Sequence, residues 1–485
     1  MGAANHGDTM SSRFARFTPG GLCLIAVGAW ISGCAPAARD PGGGQPSPVA
    51  ADSRPTDRQR PDSMGVDRSR HALVDSLRVD SLRADSLATA KRAALAASRR
   101  DSIRTADELR ARAARQGVAA ERAASPRPPA RFGAGDRRAG DLRVCSGGDV
   151  TLGTNMDTTW VTTASRRAGF AVPALPPPGA LLAPLRAAFG DADLALLNVE
   201  GAIGEGPVPP KCRPGSTACF AMRQPLAAAD ALRSLLPTGV VVGNVANNHA
   251  GDAGLAGFDS TLAHLTRAGV LVTGVDTLAV PVDIDGYTLG VLGFAVSPRR
   301  PDARDLDAVR RHVRRAADRY GRVIVTVHMG AEGAAAQRTR SRTESYYDED
   351  RGNPVAFAEA AVGAGASLVI GHGPHVLRAM EWRDSSLVAY SLGNLVTHGP
   401  FVNREPLNRG AVLCATISAG GTVVNAEVRP TVQRRAGQVE VDSSRRALVL
   451  IDSLGRLDFP RTGARIAPDG SVGRVPTVQR RRTPR

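Results

Sequence analysis

Aromatic residues make up only 4% of this 485-residue chain, and only Lys91 and Lys211 among its 62 basic side chains are lysine. So few aromatics in so long a chain imply that part of it packs into no core. An arginine preference this uniform reads as a coding bias, which makes the formal charge of +16 weak evidence for phosphate recognition. No Gly-Lys-Ser/Thr follows an apolar run, so a P-loop is excluded. No Gly-x-Ser-x-Gly elbow follows one either, which argues against a serine hydrolase. Cys-x-x-Cys is absent, which argues against a structural zinc.

The charge is unevenly placed. Residues 35–140 carry 21 basic against 13 acidic groups, and residues 461–485 carry 7 against 1. That leaves residues 141–460 at only +1, so the excess sits in the flanks. Nucleic acid is therefore not an expected partner, and anionic lipid or wall polymer is.

Residues 1–34 read as a processing segment. Arg13 and Arg16 precede the apolar run Leu22 to Ile31, too short for a membrane span and suited to a signal-peptide core. The run ends in Ile31-Ser32-Gly33-Cys34, which resembles the lipobox of bacterial lipoproteins, where the Cys34 thiol would be acylated. Ala35 after it resembles the outer-membrane sorting pattern. The expected location is thus an outer-membrane lipoprotein facing the periplasm or the cell surface, held to the membrane by its lipid anchor.

Residues 35–140 form an Ala/Arg/Asp/Ser-rich tether, disordered or partly helical. It contains the pentads Val74-Asp75-Ser76-Leu77-Arg78 and Val79-Asp80-Ser81-Leu82-Arg83. Leucine at every fifth position does not hold one helical face, so no packed domain is expected there.

From residue 141 the texture changes to short apolar runs that end in polar clusters. Leu142 to Ser146 runs into Gly147-Gly148-Asp149, and Ala192 to Leu197 into Asn198-Val199-Glu200. Val240 to Val242 runs towards Asn247-Asn248-His249, Val323 to Val327 into His328, and Ser367 to Ile370 into Gly371-His372-Gly373-Pro374-His375. Helical spacing over Leu306, Val309, Val313, Ala316 and Tyr320, and the cap Asn353-Pro354, lie between them. This is α/β alternation, in which residues at strand ends converge on one rim. Tyr287 to Val296 and Ala411 onward add strands without helices, so the sheets are expected to be mixed. Residues 421–460, with the strand-like Leu448 to Ile451, finish the domain, and 461–485 form a basic disordered tail.

Five strand ends hold four of the seven histidines of residues 141–460, together with carboxylates and amides. Oxygen and imidazole donors together suit a divalent cation such as Mn, Zn or Fe, as one or two ions. Two such ions could clamp a phosphate and activate water.

These motifs, with His328-Met329-Gly330-Ala331-Glu332 and Ser391-Leu392-Gly393-Asn394, in this order over about 143–415, resemble the CapA family of bacterial capsule (poly-γ-glutamate) synthesis proteins. The resemblance implies a metallophosphatase-like αββα sandwich of two mixed sheets. It implies that Asp149 and His375 hold one metal, Glu200 bridges, and Asn248, His328 and His372 hold a second. His249 would protonate the leaving oxygen. Apart from the resemblance, Arg378, just beyond His375, could contact an anionic substrate or form an exposed ion pair, and Asn394, at a strand end on the same rim, could touch substrate or hold the last loop. An anionic envelope polymer and other capsule-synthesis proteins are the expected partners.

The family in turn resembles the calcineurin-type metallophosphoesterases, and the chain departs from that superfamily's pattern. Thr151 stands where its first motif has a His, Glu200 replaces an Asp, and two residues separate His372 from His375. The first metal site is thus poorer in ligands, and Glu332 could supply a carboxylate. Two readings stay open: a metal-dependent hydrolase or transferase, and a non-catalytic polymer-binding or export module. Cys212 and Cys219 flank a turn-rich loop that a disulfide could close, while Cys145 and Cys414 are expected as buried thiols.

Overall fold

Alternate residues of the strands face two different cores, which fixes a four-layer arrangement. A computed structural model describes residues 138–153, 174–207, 220–297, 300–399 and 401–476. The signal-like segment with Cys34, the tether, the Cys212–Cys219 loop and residues 477–485 lie outside the described residues.

The first sheet joins β1 (Leu142–Thr151), β2 (Leu194–Val199), β3 (Val240–Asn244) and β4 (Val270–Thr273) in parallel. The second contains β5 (Val280–Ile284), β6 (Tyr287–Ala295), β7 (Val323–His328), β8 (Leu368–His372), β9 (Met380–Arg383) and β10 (Ser386–Ala389). Its order is β9-β10-β8-β7-β6-β5, with antiparallel pairs at both edges. The chain then returns to the first sheet with β11 (Asn394–Thr397), β12 (Arg409–Ile417), β13 (Val423–Arg435) and β14 (Gln438–Val441). The order there is β14-β13-β12-β1-β2-β3-β4, and β11 lies beside β1. Both sheets are mixed, as the sequence predicts.

Leu194 and Leu196 of β2 join Ile324, Leu368 and Ile370 of the second sheet in the core between the sheets. Their neighbours Ala195 and Leu197 point outward, onto α1 (Pro178–Leu182), α2 (Ala228–Arg233) and α3 (Gly254–Arg267). On the far side Val323, Val325 and Val369 pack under α4 (Leu306–Tyr320) and α5 (Pro354–Gly363). The layers are therefore helix, sheet, sheet, helix. Covered on both faces, these strands read as continuous apolar runs. Asp305 caps α4 by accepting from the Ala308 amide, and Gly321 closes it with a left-handed residue. Asn353 accepts from the Val355 and Ala356 amides ahead of Pro354, as its sequence predicts.

Three expectations need correction. Leu448 to Ile451 lies in a helix, α6 (Arg446–Asp458), whose Leu448, Leu450, Ile451 and Leu454 close the core between the sheets. A four-residue apolar run does not distinguish strand from helix. The domain also continues past residue 460. Ala464, Ile466 and Val472 are buried in the same core, Arg465–Ile466 pairs with Val472–Gly473, and the Trp382 indole donates to the Gly473 carbonyl.

The third correction concerns cysteine. Cys145 of β1 lies directly opposite Cys414 of β12, and the two form a disulfide in place of the expected buried thiols. The bridge closes a loop across 269 residues, so its loss is expected to cost about 2–4 kcal/mol. Urea titration of the Cys145→Ser/Cys414→Ser protein checks this. A midpoint equal to that of the oxidised protein would count against the bridge.

Candidate metal centre

β1 changes partners in its middle, and that change delivers the first acidic residue. It pairs with β12 through Leu142–Ser146 and with β11 from Asp149 onward. At the switch a Cβ on Gly148 would stand 2.0 Å from the Gly393 carbonyl oxygen, so only glycine allows the approach. The Asp149 amide then donates to that same carbonyl, and its carboxylate is fully buried.

The neighbouring strand ends close around it. Register pairs Asp149 with Asn198 and Asn198 with Asn244 in the first sheet, and His372 with His328 in the second. Asn198 donates to Asp149 Oδ1 at 2.8 Å and receives a hydrogen bond from Asn244 at 3.0 Å. The same Asn198 amide nitrogen lies 3.2 Å from His328 Nδ1. This buried amide relay orients the carboxylate and the imidazole, and the sequence reading gave neither asparagine a role.

His375 Nδ1 stands 3.1 Å from Asp149 Oδ2, and its Nε2 stands 3.6 Å from Glu200 Oε1 and 3.8 Å from Glu332 Oε2. Its backbone φ of 57° lies in the left-handed region, a strained position for a non-glycine residue. Gly373 before it donates its amide to Asp149 Oδ2 at 3.3 Å. Asp149, Glu200 and His375 can each offer one donor atom, all within 4.8 Å of one another.

Several buried donors here have no hydrogen-bond partner. They are both carboxylate oxygens of Glu200, Asn248 Oδ1, His328 Nε2 and both nitrogens of His372. Unpartnered buried polar atoms cost about 1–3 kcal/mol each, so a cluster of them is not a packing accident. His328 Nε2 faces Glu200 Oε1 at 3.9 Å, and His372 Nδ1 faces Asp149 Oδ1 at 3.6 Å. Nitrogen and oxygen donors aimed at one interior space fit a divalent cation.

The electrostatics describe a cluster that attracts positive charge. Burial pushes Glu200 up to about 8, with the Asp149 and Glu332 charges adding to it and His375 opposing. Burial also raises Asp149, but the His375 hydrogen bond and the His375, His372 and His328 charges outweigh it and carry the carboxyl well below its usual range. Burial depresses His375, yet Glu200, Asp149 and Glu332 together raise it well above an ordinary imidazole. Burial lowers His372 to about 4 and drives His328 well down, Asp149 opposing in both. His372 and His328 are thus neutral at neutral pH, the ligating form, whereas a cation held by His375 would displace its proton.

The loop after β3 carries Asn248 and His249. Asn247 ties it to β2 by donating to the Val199 carbonyl at 2.9 Å, and accepts from the His249 amide at 3.1 Å. His249 Nδ1 lies 2.7 Å from Asp252 Oδ2, which also accepts from the Met222 amide at 2.8 Å. Asp252 is thus a positioning residue for His249. In the sequence Asp252 belongs to the same motif as His249, three residues after it, where a loop-stabilising role is expected.

Arg378 and Asn394, the two residues weighed as substrate contacts, both make contacts within the protein. Arg378 is fully buried, donating to both oxygens of Glu344 at 3.0 and 2.8 Å and to the Ala331 carbonyl. It pins the loop after β7 and faces no open space. Asn394 meets His375 Nδ1 through its Oδ1 at 3.0 Å and donates to the Leu407 carbonyl, so it holds the histidine. Thr151 turns its hydroxyl onto the Glu200 carbonyl at 3.0 Å and so braces that residue.

Residues 143–398 match the sequence profile of the family described as "Bacterial capsule synthesis protein PGA_cap". The chain is 26% identical over 187 residues to "Capsule biosynthesis protein CapA" of Bacillus anthracis, covering 34% of this chain and 42% of that protein. It is 28% identical over 171 residues to "PGA biosynthesis protein CapA" of Bacillus subtilis (strain 168), covering 32% and 41%. It therefore spans about two fifths of the length of these curated relatives. Among solved structures, a 5'-nucleotidase precursor from Thermus thermophilus aligns with a TM-score of 0.33 at 12% identity, over 64% of this chain and 58% of that one.

Proposed function

We propose that this chain, which belongs to the PGA_cap family of bacterial capsule synthesis proteins through residues 143–398, is a metal-dependent hydrolase or transferase acting on an anionic envelope polymer. The observation that carries this reading is the set of unpartnered buried donors on Glu200, Asn248, His328 and His372 around Asp149 and His375.

Asp149, Glu200 and His375 would hold one cation, and Asn248, His328 and His372 would share Glu200 around a second. A cation there supplies Lewis acidity to a phosphoryl or carbonyl oxygen and to an attacking water. The chain's own residues do the rest. Asn198 and Asn394 fix the donors in place, and His249, oriented by Asp252, delivers a proton to the leaving atom, the oxygen of a phosphoester or the nitrogen of an amide. Glu200, His328 and His372 are almost fully buried, which limits screening of their charges by bulk water.

Membership of a capsule synthesis family supports an envelope location, as does the Cys145–Cys414 bridge, since disulfides persist in oxidising compartments. A lipid anchor at Cys34 and contact with other capsule-synthesis proteins complete the proposal. Among the described residues no helix is long and apolar enough to cross a membrane.

A second reading is favoured by Thr151, whose hydroxyl faces the Glu200 carbonyl where a ligand histidine would stand. It makes the domain a non-catalytic module that binds or exports the polymer. Metal-loaded protein offered phosphodiester and amide polymers decides between them. Metal-dependent cleavage that disappears in Asp149→Asn is the expected result. Polymer binding without cleavage, unchanged when His249 and His328 are replaced, would establish the second reading instead.

A further inference from the structure

Glu332 is fixed by one oxygen and presents the other to the centre. Its Oε1 pairs with Arg351 at 2.8 Å, and Arg351 is almost fully buried and donates through Nε to the Gly330 carbonyl. Its Oε2 faces His375 Nε2 at 3.8 Å, and the same nitrogen faces Glu200 Oε1 at 3.6 Å. Donors about 2.1 Å from one shared ion, at tetrahedral angles, stand roughly 3.4 Å apart. The observed spacings need only small side-chain adjustments to reach that value. Glu200 independently points to a ligand here, being buried with both oxygens unpartnered.

We infer that Glu332 is a ligand of the cation held by Asp149, Glu200 and His375, standing in for the histidine that Thr151 displaces. The inference rests on the metal reading proposed above. It gives the loop after β7 a purpose. Glu344 accepts from the Ala331 amide at 2.7 Å and from Arg378, which holds the turn that carries Glu332 in place. The buried Arg351 fixes which oxygen faces inward and balances the added negative charge. Replacing an imidazole by a carboxylate also makes the site harder, which shifts its preference towards oxygen-loving ions such as Mn.

Calorimetric titration of the full chain with Mn²⁺, and the visible spectrum of its Co²⁺ form, test this in Glu332→Gln with Asp149→Asn as reference. Glu332→Gln is expected to weaken Mn²⁺ binding by about 10–100-fold and to change the Co²⁺ spectrum. Wild-type affinity and an unchanged spectrum, alongside lost binding in Asp149→Asn, would overturn the Glu332 assignment and leave the metal reading standing. No binding by the wild type overturns both. Should Glu332→Gln fail to fold, Glu332→Asp carries the same test. Its shorter carboxylate must alter the spectrum, and an unaltered one sinks the assignment.

Discussion

Replacing His249 by Ala in the metal-loaded protein is expected to lower turnover by about 10²–10⁴-fold while fold and metal content persist. The geometry behind this is specific. His249 is buried, and its Nδ1 is engaged by Asp252 at 2.7 Å, so the proposed proton transfer would run through Nε2. Asp252 is itself fixed by the Met222 amide, so the imidazole cannot turn freely. Asp252→Asn keeps the shape and loses the charge, and an intermediate loss of turnover is expected. Steady-state kinetics on a chromogenic phosphodiester measure both, with circular dichroism confirming the fold. Unchanged turnover in His249→Ala would remove the histidine from the mechanism.

The second large effect is on stability. Asp191→Ala is expected to cost about 3–5 kcal/mol, because it leaves two buried guanidiniums with one fewer carboxylate. Arg429 is fully buried and donates to both Asp191 oxygens at 2.7 Å, while Arg143 meets Asp191 at 2.9 Å and Glu427 at 3.0 Å. Arg143 sits on β1 and Arg429 on β13, so this cluster clamps the sheet on both sides of β12. Burial raises the Asp191 carboxyl, but the Arg429 hydrogen bond and the Arg429 and Arg143 charges carry it below its ordinary value. A depressed folded value means that the contribution is complete above the unfolded value of about 3.9 and fades as pH falls through the folded one. The gap between wild type and Asp191→Ala in urea should thus be full at neutral pH and shrink in acid. A gap below about 1 kcal/mol at neutral pH contradicts the clamp.

The layers were legible because strands covered on both faces leave continuous apolar runs, and because the donors sit where those runs stop. Asp149, Glu200, His328 and His372 could be read that way. What joins distant segments could not. Cys145 faces Cys414 only through the register of β1 on β12, and no local pattern encodes a register. Arg378 looked like a substrate contact because a charged residue beside a site motif is usually exposed. Its burial depends on Glu344, which lies in another loop. Asn198 and Asn244 were visible at strand ends, but their relay exists only when the parallel pairing stacks them beside Asp149. Residues 461–473 read as tail because residues 461–485 carry 7 basic groups against 1 acidic, yet the buried Ala464, Ile466 and Val472 anchor them.

Everything proposed for this site depends on a bound cation. Full-length protein should be loaded with Mn²⁺ or Zn²⁺ at neutral pH, dialysed against metal-free buffer, and its metal content measured by atomic emission. At least one equivalent should remain bound, and it should be lost in Asp149→Asn/His375→Ala. A wild-type protein that retains no metal under these conditions would contradict the account.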